Sequence, residues 1–309
     1  MIPITNLKSS QGAFQIPKLI WAFTESNFAT FVIPNTAFGI LGAVATSLSK
    51  GVQPSGLEVL QRFSIVVAYN WSNVLSFDLA NQRAPESVAE DRINKPWRPI
   101  PTNRITSDQT RRVMLVSIPL TLWFNYYLGV WEQGVVIHIT TWLYNDLRGM
   151  DEAFVREILI SVGYGMFNSG SLQIALGNKT SINWNGMVWA CIISGVILTT
   201  MQIQDLKDQA GDRLRGRKTV VLFLGEEISR WSIAFFVNFW TCVCSILWDL
   251  SAWSCAVPGI PAAVVTWRVL KMRNQKDDYR SWQLWCLWLL GLYSLPLLGR
   301  SDGFKSILY

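Results

Sequence analysis

Three aspartates, Asp205, Asp208 and Asp212, are spaced three and four residues apart in a stretch that runs on through Arg213, Arg215, Arg217 and Lys218 to Thr219. At 100° per residue, a continuous helix would put all three on one face, within about 60° of arc. Carboxylates stacked in this way repel one another unless a cation sits between them. The natural cation is a hard divalent one, and Mg2+ typically combines one or two carboxylates with phosphate oxygens. The basic residues that follow can meet the remaining charge of a phosphorylated ligand. The competing reading is a solvated helix end carrying charges of both signs.

A second polar cluster lies upstream: Asn70, Asn73, Asp78, Asn81 and Gln82, then Glu86, Glu90, Asp91 and the string Asn94-Lys95-Pro96-Trp97-Arg98-Pro99. Asn70, Asn73 and Asn81 share a helix face, and Asp78 lies about 80° round from Asn70. Such groups are costly in a membrane helix and usually face a cavity or a partner. Hydrogen bonding between helices is the plainer use for an asparagine there. Two acidic clusters that converge across a bundle would make a metal–diphosphate clamp.

The elements that must carry these clusters are apolar. Of 309 residues, 50% are apolar and 16% charged, against about 25% charged in soluble domains. Nine apolar segments are expected to cross about 30 Å of hydrocarbon, near 28–48, 57–79, 111–130, 133–147, 153–177, 184–204, 229–248, 251–270 and 281–299. The expected fold is therefore an all-α integral membrane bundle of about nine transmembrane helices. It forms a single domain over 1–309, with 1–27 as a cytosolic N-terminal segment and no cleavable signal peptide. Most of the 27 basic residues fall in four loops that share one side of a nine-helix count. The positive-inside rule makes that side cytosolic. Topology explains basic loops, and nucleic acid is not an expected partner. Topology does not explain acids in the same loops.

The composition also excludes chemistry. The one histidine, His138, rules out zinc sites built on several His and reads as a packed polar residue. Five cysteines without a C-x-x-C pair read as buried small apolar side chains.

These residues resemble a known family. Nine helices, an Asn/Asp-rich motif leading to Arg98-Pro99-Ile100-Pro101, and D-x-x-D-x-x-x-D followed by Gly211-Asp-Arg-x-x-Gly-Arg-Lys-Thr219 and Leu224-Gly225 are similar to the UbiA superfamily of intramembrane prenyltransferases. The first motif departs from the common N-D-x-x-D-x-x-x-D: four residues after Asp78 stands Gln82, and the next acids are Glu90 and Asp91. This variant resembles a fungal branch that includes UbiA-type terpene cyclases. Aromatic prenyltransferases of the superfamily carry a Lys/Arg pair after a tyrosine near the end of helix 4. The stretch here is Tyr144-Asn145-Asp146-Leu147-Arg148.

The resemblance implies a Mg2+-dependent terpene cyclase that ionises farnesyl or geranylgeranyl diphosphate in terpenoid secondary metabolism. Asp78, Asp91, Asp205, Asp208 and Asp212 would be the catalytic metal ligands. Asn73 and Asn81 would serve as neutral ligands of the metal–diphosphate group, and Arg98, Arg217 and Lys218 would bind the diphosphate. Departure of diphosphate would leave an allylic cation, which aromatic faces stabilise by up to about 2 kcal/mol when dry. The candidates are Trp71, Phe77, Trp123, Phe124, Tyr126, Tyr144, Tyr164 and Phe167. The expected setting is the endoplasmic reticulum bilayer, with the site opening to the cytosol and the oligomeric state left open. Transfer of the prenyl group to an aromatic acceptor is the alternative, and residue spacing does not separate the two. An ion or solute transporter is a third reading, but the paired interrupted helices of an internal repeat are missing from the sequence.

Overall fold

The computed structural model describes residues 9–299, with side chains from residue 15 onward. It begins with α1 (Ser9–Asn27), which runs through one π-helical turn (Phe28–Val32) into α2 (Ile33–Val44). Pro34 is the physical reason for the irregular turn, because it has no N–H to give the carbonyl four residues back. That carbonyl, of Thr30, accepts the Tyr164 hydroxyl instead. Most of the segment expected to be a tail is therefore helix; residues 1–8 of it lie outside the described residues.

The chain continues with α3 (Gly56–Gln82), α4 (Pro85–Asn94), α5 (Ser107–Tyr127), α6 (Trp131–Asn145), α7 (Val155–Leu176) and α8 (Trp184–Thr200). A 3₁₀ segment (Met201–Lys207) and the short α9 (Gln209–Arg215) and α10 (Val220–Leu224) follow. Then come α11 (Glu226–Leu247), α12 (Ala256–Lys271), α13 (Gln275–Tyr293) and α14 (Leu295–Leu298). Each expected apolar segment thus coincides with a long helix among the described residues. Three stretches, Gln15–Val44, Trp184–Lys207 and Glu226–Leu247, are long and apolar enough to cross a membrane on their own composition. The bundle is not wholly α. β1 (Ser49–Gly51) pairs antiparallel with β2 (Thr180–Ile182).

Sequence signals set the helix starts. Ser55 and Glu58 form a reciprocal capping box on α3, and Thr106 and Gln109 form one on α5. These side chains satisfy N–H groups that a helix start leaves orphaned. α2 and α7 approach very closely: a Cβ on Gly39 would lie 2.6 Å from the Ser171 carbonyl carbon. Asn70 then joins the two, donating to Thr36 Oγ1 at 3.1 Å and Ser171 Oγ at 2.9 Å. Leu115, Leu120, Trp123 and Tyr126 of α5 and Phe235 and Ile246 of α11 are exposed, an apolar exterior suited to hydrocarbon. His138 Nδ1 donates to the Gly134 carbonyl one turn back, and all five cysteines are unbridged.

One buried charge holds the end of the bundle where α11, α12 and α13 meet. Arg230 is fully buried and grips Asp278 with two bonds of 2.9 Å. It also donates to the carbonyls of Val269 and Met272 at the end of α12. Removing one member of such a pair strands the other charge, typically at a cost of about 3–5 kcal/mol. Arg230→Ala is accordingly expected to lower the unfolding temperature in detergent sharply, whereas Arg273→Ala, on the exposed rim, leaves it nearly unchanged. Equal melting temperatures for the two variants would contradict this.

Candidate active site

Four helices each contribute a stripe at helical spacing to one cleft. The α1–α2 stretch gives Asn27 and Phe31, and α3 gives Val74, Phe77 and Asn81. From α6 come Ile137, Thr140, Thr141 and Tyr144, and from α7 Arg156, Leu159, Ile160, Gly163 and Phe167. The cleft encloses ≈ 910 Å³ of empty space, including its open mouth. Its two ends differ chemically. Below the mouth the cleft is apolar and aromatic: Phe31 lies 5.7 Å from Phe167 and 4.8 Å from Tyr164 behind it, and nearer the mouth Phe77 lies 5.3 Å from Tyr144, between ring centroids. Charge gathers at the mouth, where Glu90, Lys95, Arg98, Asp205, Asp208, Asp212 and Arg217 line the rim.

The three aspartates of the second motif all reach the cleft, though on no single α-helix. Asp205 lies in the 3₁₀ segment and Asp208 at the junction, and Asp212 lies in α9. In a 3₁₀ turn residues i and i+3 eclipse, which aligns Asp205 with Asp208. Asp208 and Asp212 are then one α-turn apart. The expected shared face survives through two geometries in series.

Each of these acids has a cationic partner. Arg156 clamps Asp205 with bonds of 2.9 and 2.7 Å and also binds Glu157 at 2.9 Å. Lys207 sits 2.6 Å from Asp208, and Arg217 reaches Asp212 at 3.2 Å and Glu90 at 3.0 Å. Burial alone would raise the Asp208 carboxyl, but Lys207 and Lys95 outweigh it and hold it below its ordinary value. For Asp212, burial outweighs Arg217, and with Glu90 nearby the carboxyl is pushed up. Burial next to Arg98 pushes the Lys95 ammonium down.

The first motif is arranged differently from the expectation. Asn81 lines the cleft and donates to Asn145 Oδ1 at 3.0 Å. Asp78 lies behind the wall, accepting from Asn27 at 2.6 Å. Asp91 is turned toward Arg98, whose Nη1 donates to both of its carboxylate oxygens at 2.9 and 3.0 Å, and Arg98 is the partner that lines the cleft. Glu90, one residue away and thus about 100° round the helix, faces the cleft in its place. Asn73 is remote, exchanging two hydrogen bonds with Asn125. Lys218 pairs with Glu152 on the surface. Of the aromatic candidates, Phe77, Tyr144 and Phe167 line the cleft, while Trp123 and Tyr126 face outward and Trp71 packs against Trp21 and Phe28. Asn27, Phe31, Glu90, Lys95 and Arg156 were not expected as site residues. For Glu90 the signal was its position beside Asp91. For Arg156 it was a charge opening an apolar helix.

The donor chemistry fits a hard divalent cation. The acids supply oxygens, and Asp212 Oδ2 is buried with no hydrogen-bond partner. Among the described residues, no three acids converge into a ready-made cage, so phosphate oxygens and water would have to complete the shell, as is usual for Mg2+. Asn94, at the end of α4, ties α4 to the start of α9. Its Nδ2 donates to the Asp208 carbonyl at 2.9 Å, and its Oδ1 accepts from the Gly211 N–H at 3.1 Å. Each such bond contributes about 1 kcal/mol net. Asn94→Ala is expected to speed amide exchange at Gly211 at least tenfold with exchange in α11 unchanged; an unaltered Gly211 rate would show that the tie does not hold α9.

Comparison with known proteins shows the family and the fold. The chain is 27% identical over 299 residues to the fumagillin beta-trans-bergamotene synthase of Aspergillus fumigatus, covering 93% of this chain and 94% of that one. It is 26% identical to polyprenyl transferase eriF of Hericium erinaceus, over 85% of this chain and 88% of the relative. A UbiA homolog from Archaeoglobus fulgidus, solved bound to GPP and Mg2+, shares the fold with a TM-score of 0.62, at 11% identity, over 90% of this chain and 99% of that structure. The model of the UbiA prenyltransferase family matches residues 37–289, and the chain belongs to that family of multi-pass membrane proteins.

Proposed function

We propose that the chain is a Mg2+-dependent terpene cyclase that ionises farnesyl or geranylgeranyl diphosphate and releases a cyclic terpene and diphosphate. The observation that carries this is the division of one cleft into a charged mouth and an aromatic floor. Where a transferase would carry its Lys/Arg pair, this chain has Asn145 and Asp146. Arg148, further on, is not among the residues that line the cleft and pairs with Asp151 at 2.9 Å. The similarity to a bergamotene synthase over nearly the full length supports the same reading.

In this proposal Lys95, Arg98 and Arg217 bind the diphosphate, with Asp91 aligning the Arg98 guanidinium. Asp205, Asp208 and Asp212 are the residues that would hold Mg2+, which when bound supplies charge neutralisation to the leaving oxygens. The C1–O bond breaks, and diphosphate leaves with the bonding pair. The allylic cation is then held against Phe31, Phe77, Tyr144 and Phe167, whose faces attract it most strongly in a dry site. The same apolar walls exclude the water that would quench it. Terpenoid secondary metabolism in the endoplasmic reticulum membrane is the proposed setting, with the mouth on the cytosolic side, where the basic loops lie.

The similarity to a polyprenyl transferase favours a second reading, in which an aromatic acceptor captures the cation. One assay separates the two. Microsomes containing the chain, given Mg2+ and farnesyl or geranylgeranyl diphosphate without acceptor, are expected to release a cyclic hydrocarbon, and EDTA abolishes the release. Turnover that begins only when a phenolic acceptor is added contradicts the cyclase reading. Asp208→Ala and Asp212→Ala are each expected to lower kcat by about 100-fold, equivalent to about 2.7 kcal/mol on the barrier. Full activity in both would remove them from the site.

A further inference from the structure

Three glycines are buried along α7, and packing explains two of them. A Cβ on Gly165 would lie 2.7 Å from Ser194 Oγ, and one on Gly170 would lie 2.2 Å from the Tyr69 hydroxyl oxygen. Gly163 differs. A Cβ there would meet, among the described residues, only Thr140 Oγ1 at 3.9 Å, an ordinary contact. Its backbone is regular helix, where glycine is less stable than alanine. Neither packing nor conformation calls for a glycine at this position. The space beside Gly163 belongs to the cleft, which Gly163 and Thr140 both line.

Its depth gives that space a meaning. At about 1.5 Å per residue, Gly163 lies about 10 Å below Arg156 at the mouth and about 6 Å above Phe167 at the floor. A side chain here would narrow the cleft at mid-depth, between the diphosphate-binding rim and the aromatic end. An extended isoprenoid chain needs only a slot. A chain that turns back toward its own C1 needs width halfway down.

We propose that Gly163 determines product class: the missing side chain gives the isoprenoid room to fold, so that the cation is captured by a distal double bond of the same molecule. The inference rests on the cyclase reading above. In the folded chain, a distal π pair forms a new C–C bond to C1 and the charge moves onto the chain. Loss of a proton to the departed diphosphate then restores a double bond. In an extended chain the proton is lost without the C–C bond, giving a linear isomer of the same formula. Each ring formed leaves one double bond fewer.

The test uses the full-length protein in nanodiscs with Mg2+ and farnesyl or geranylgeranyl diphosphate. Hydrocarbons are separated by gas chromatography, and double bonds are counted by exhaustive hydrogenation before mass measurement. Gly163→Ala, which the structure accommodates, is expected to keep or raise the unfolding temperature while cutting the cyclic fraction at least threefold. Gly163→Leu is expected to cut it at least tenfold, with linear isomers taking its place and diphosphate release continuing. An unchanged cyclic fraction in a stably folded Gly163→Ala overturns the proposal, as does a parallel loss of cyclic and linear products. A parent enzyme that yields no hydrocarbon without an acceptor overturns the cyclase reading itself, and this inference falls with it.

Discussion

A carboxylate taken out of water must be paired, and the mouth of this bundle is built on that requirement. Asp205 and Arg156 have side chains only 3% and 4% exposed, and Asp91 and Arg98 only 4% and 3%. Isolated charges so buried would cost several kcal/mol each. The pairs therefore dictate where the surrounding elements end. Arg215 at the end of α9 binds Ser87 and Glu90 on α4 and Asp151 in the loop before α7. Loops distant in sequence are brought to one end of the bundle because their charges have few other partners.

In the proposed diphosphate site, the same pairing would let the mouth exchange partners. Guanidiniums and ammoniums that now satisfy carboxylates are the groups that can turn to phosphate oxygens, and charge-assisted bonds of this kind are the strong ones. A bound diphosphate with its divalent cation would bring both charges at once, so the acids and bases could change partners without either being stranded. Asp212, with one buried oxygen unpartnered, already has spare capacity. In the proposed reaction the aromatic floor depends on the mouth in turn, since ionisation at the rim would create the cation that Phe31 and Phe167 would face.

Much of this is legible in the sequence, and the remainder is not for physical reasons. That the second motif's three acids reach one cleft is legible because spacings of three and then four keep three side chains on one side in either helical geometry, even though the helix changes type at Asp208. The long helices read correctly because apolar length is a local property. Glu90 and Asp91 are the opposite case. Adjacent acids point about 100° apart, and which one faces the cleft is decided by Arg98, whose side chain claims Asp91. Arg156 was missed because its meaning lies in Asp205, 49 residues away. Phe31 was missed because Pro34 distorts the turn that aims it. The start of α1 reads as a tail because its polar residues break the apolar run, though from residue 15 the stretch qualifies as part of a spanning helix.

Asp208, Asp212 and the cations around them are proposed to form one divalent-metal and diphosphate mouth. This is tested most directly by pulsed electron spin-echo spectroscopy of Mn2+, standing in for Mg2+, on the protein with a non-hydrolysable farnesyl thiodiphosphate. The expected result is Mn2+ bound to the protein with resolved ³¹P coupling, lost in the Asp208→Asn, Asp212→Asn double variant. Bound Mn2+ without ³¹P coupling, or coupled Mn2+ that persists in the double variant, would contradict it.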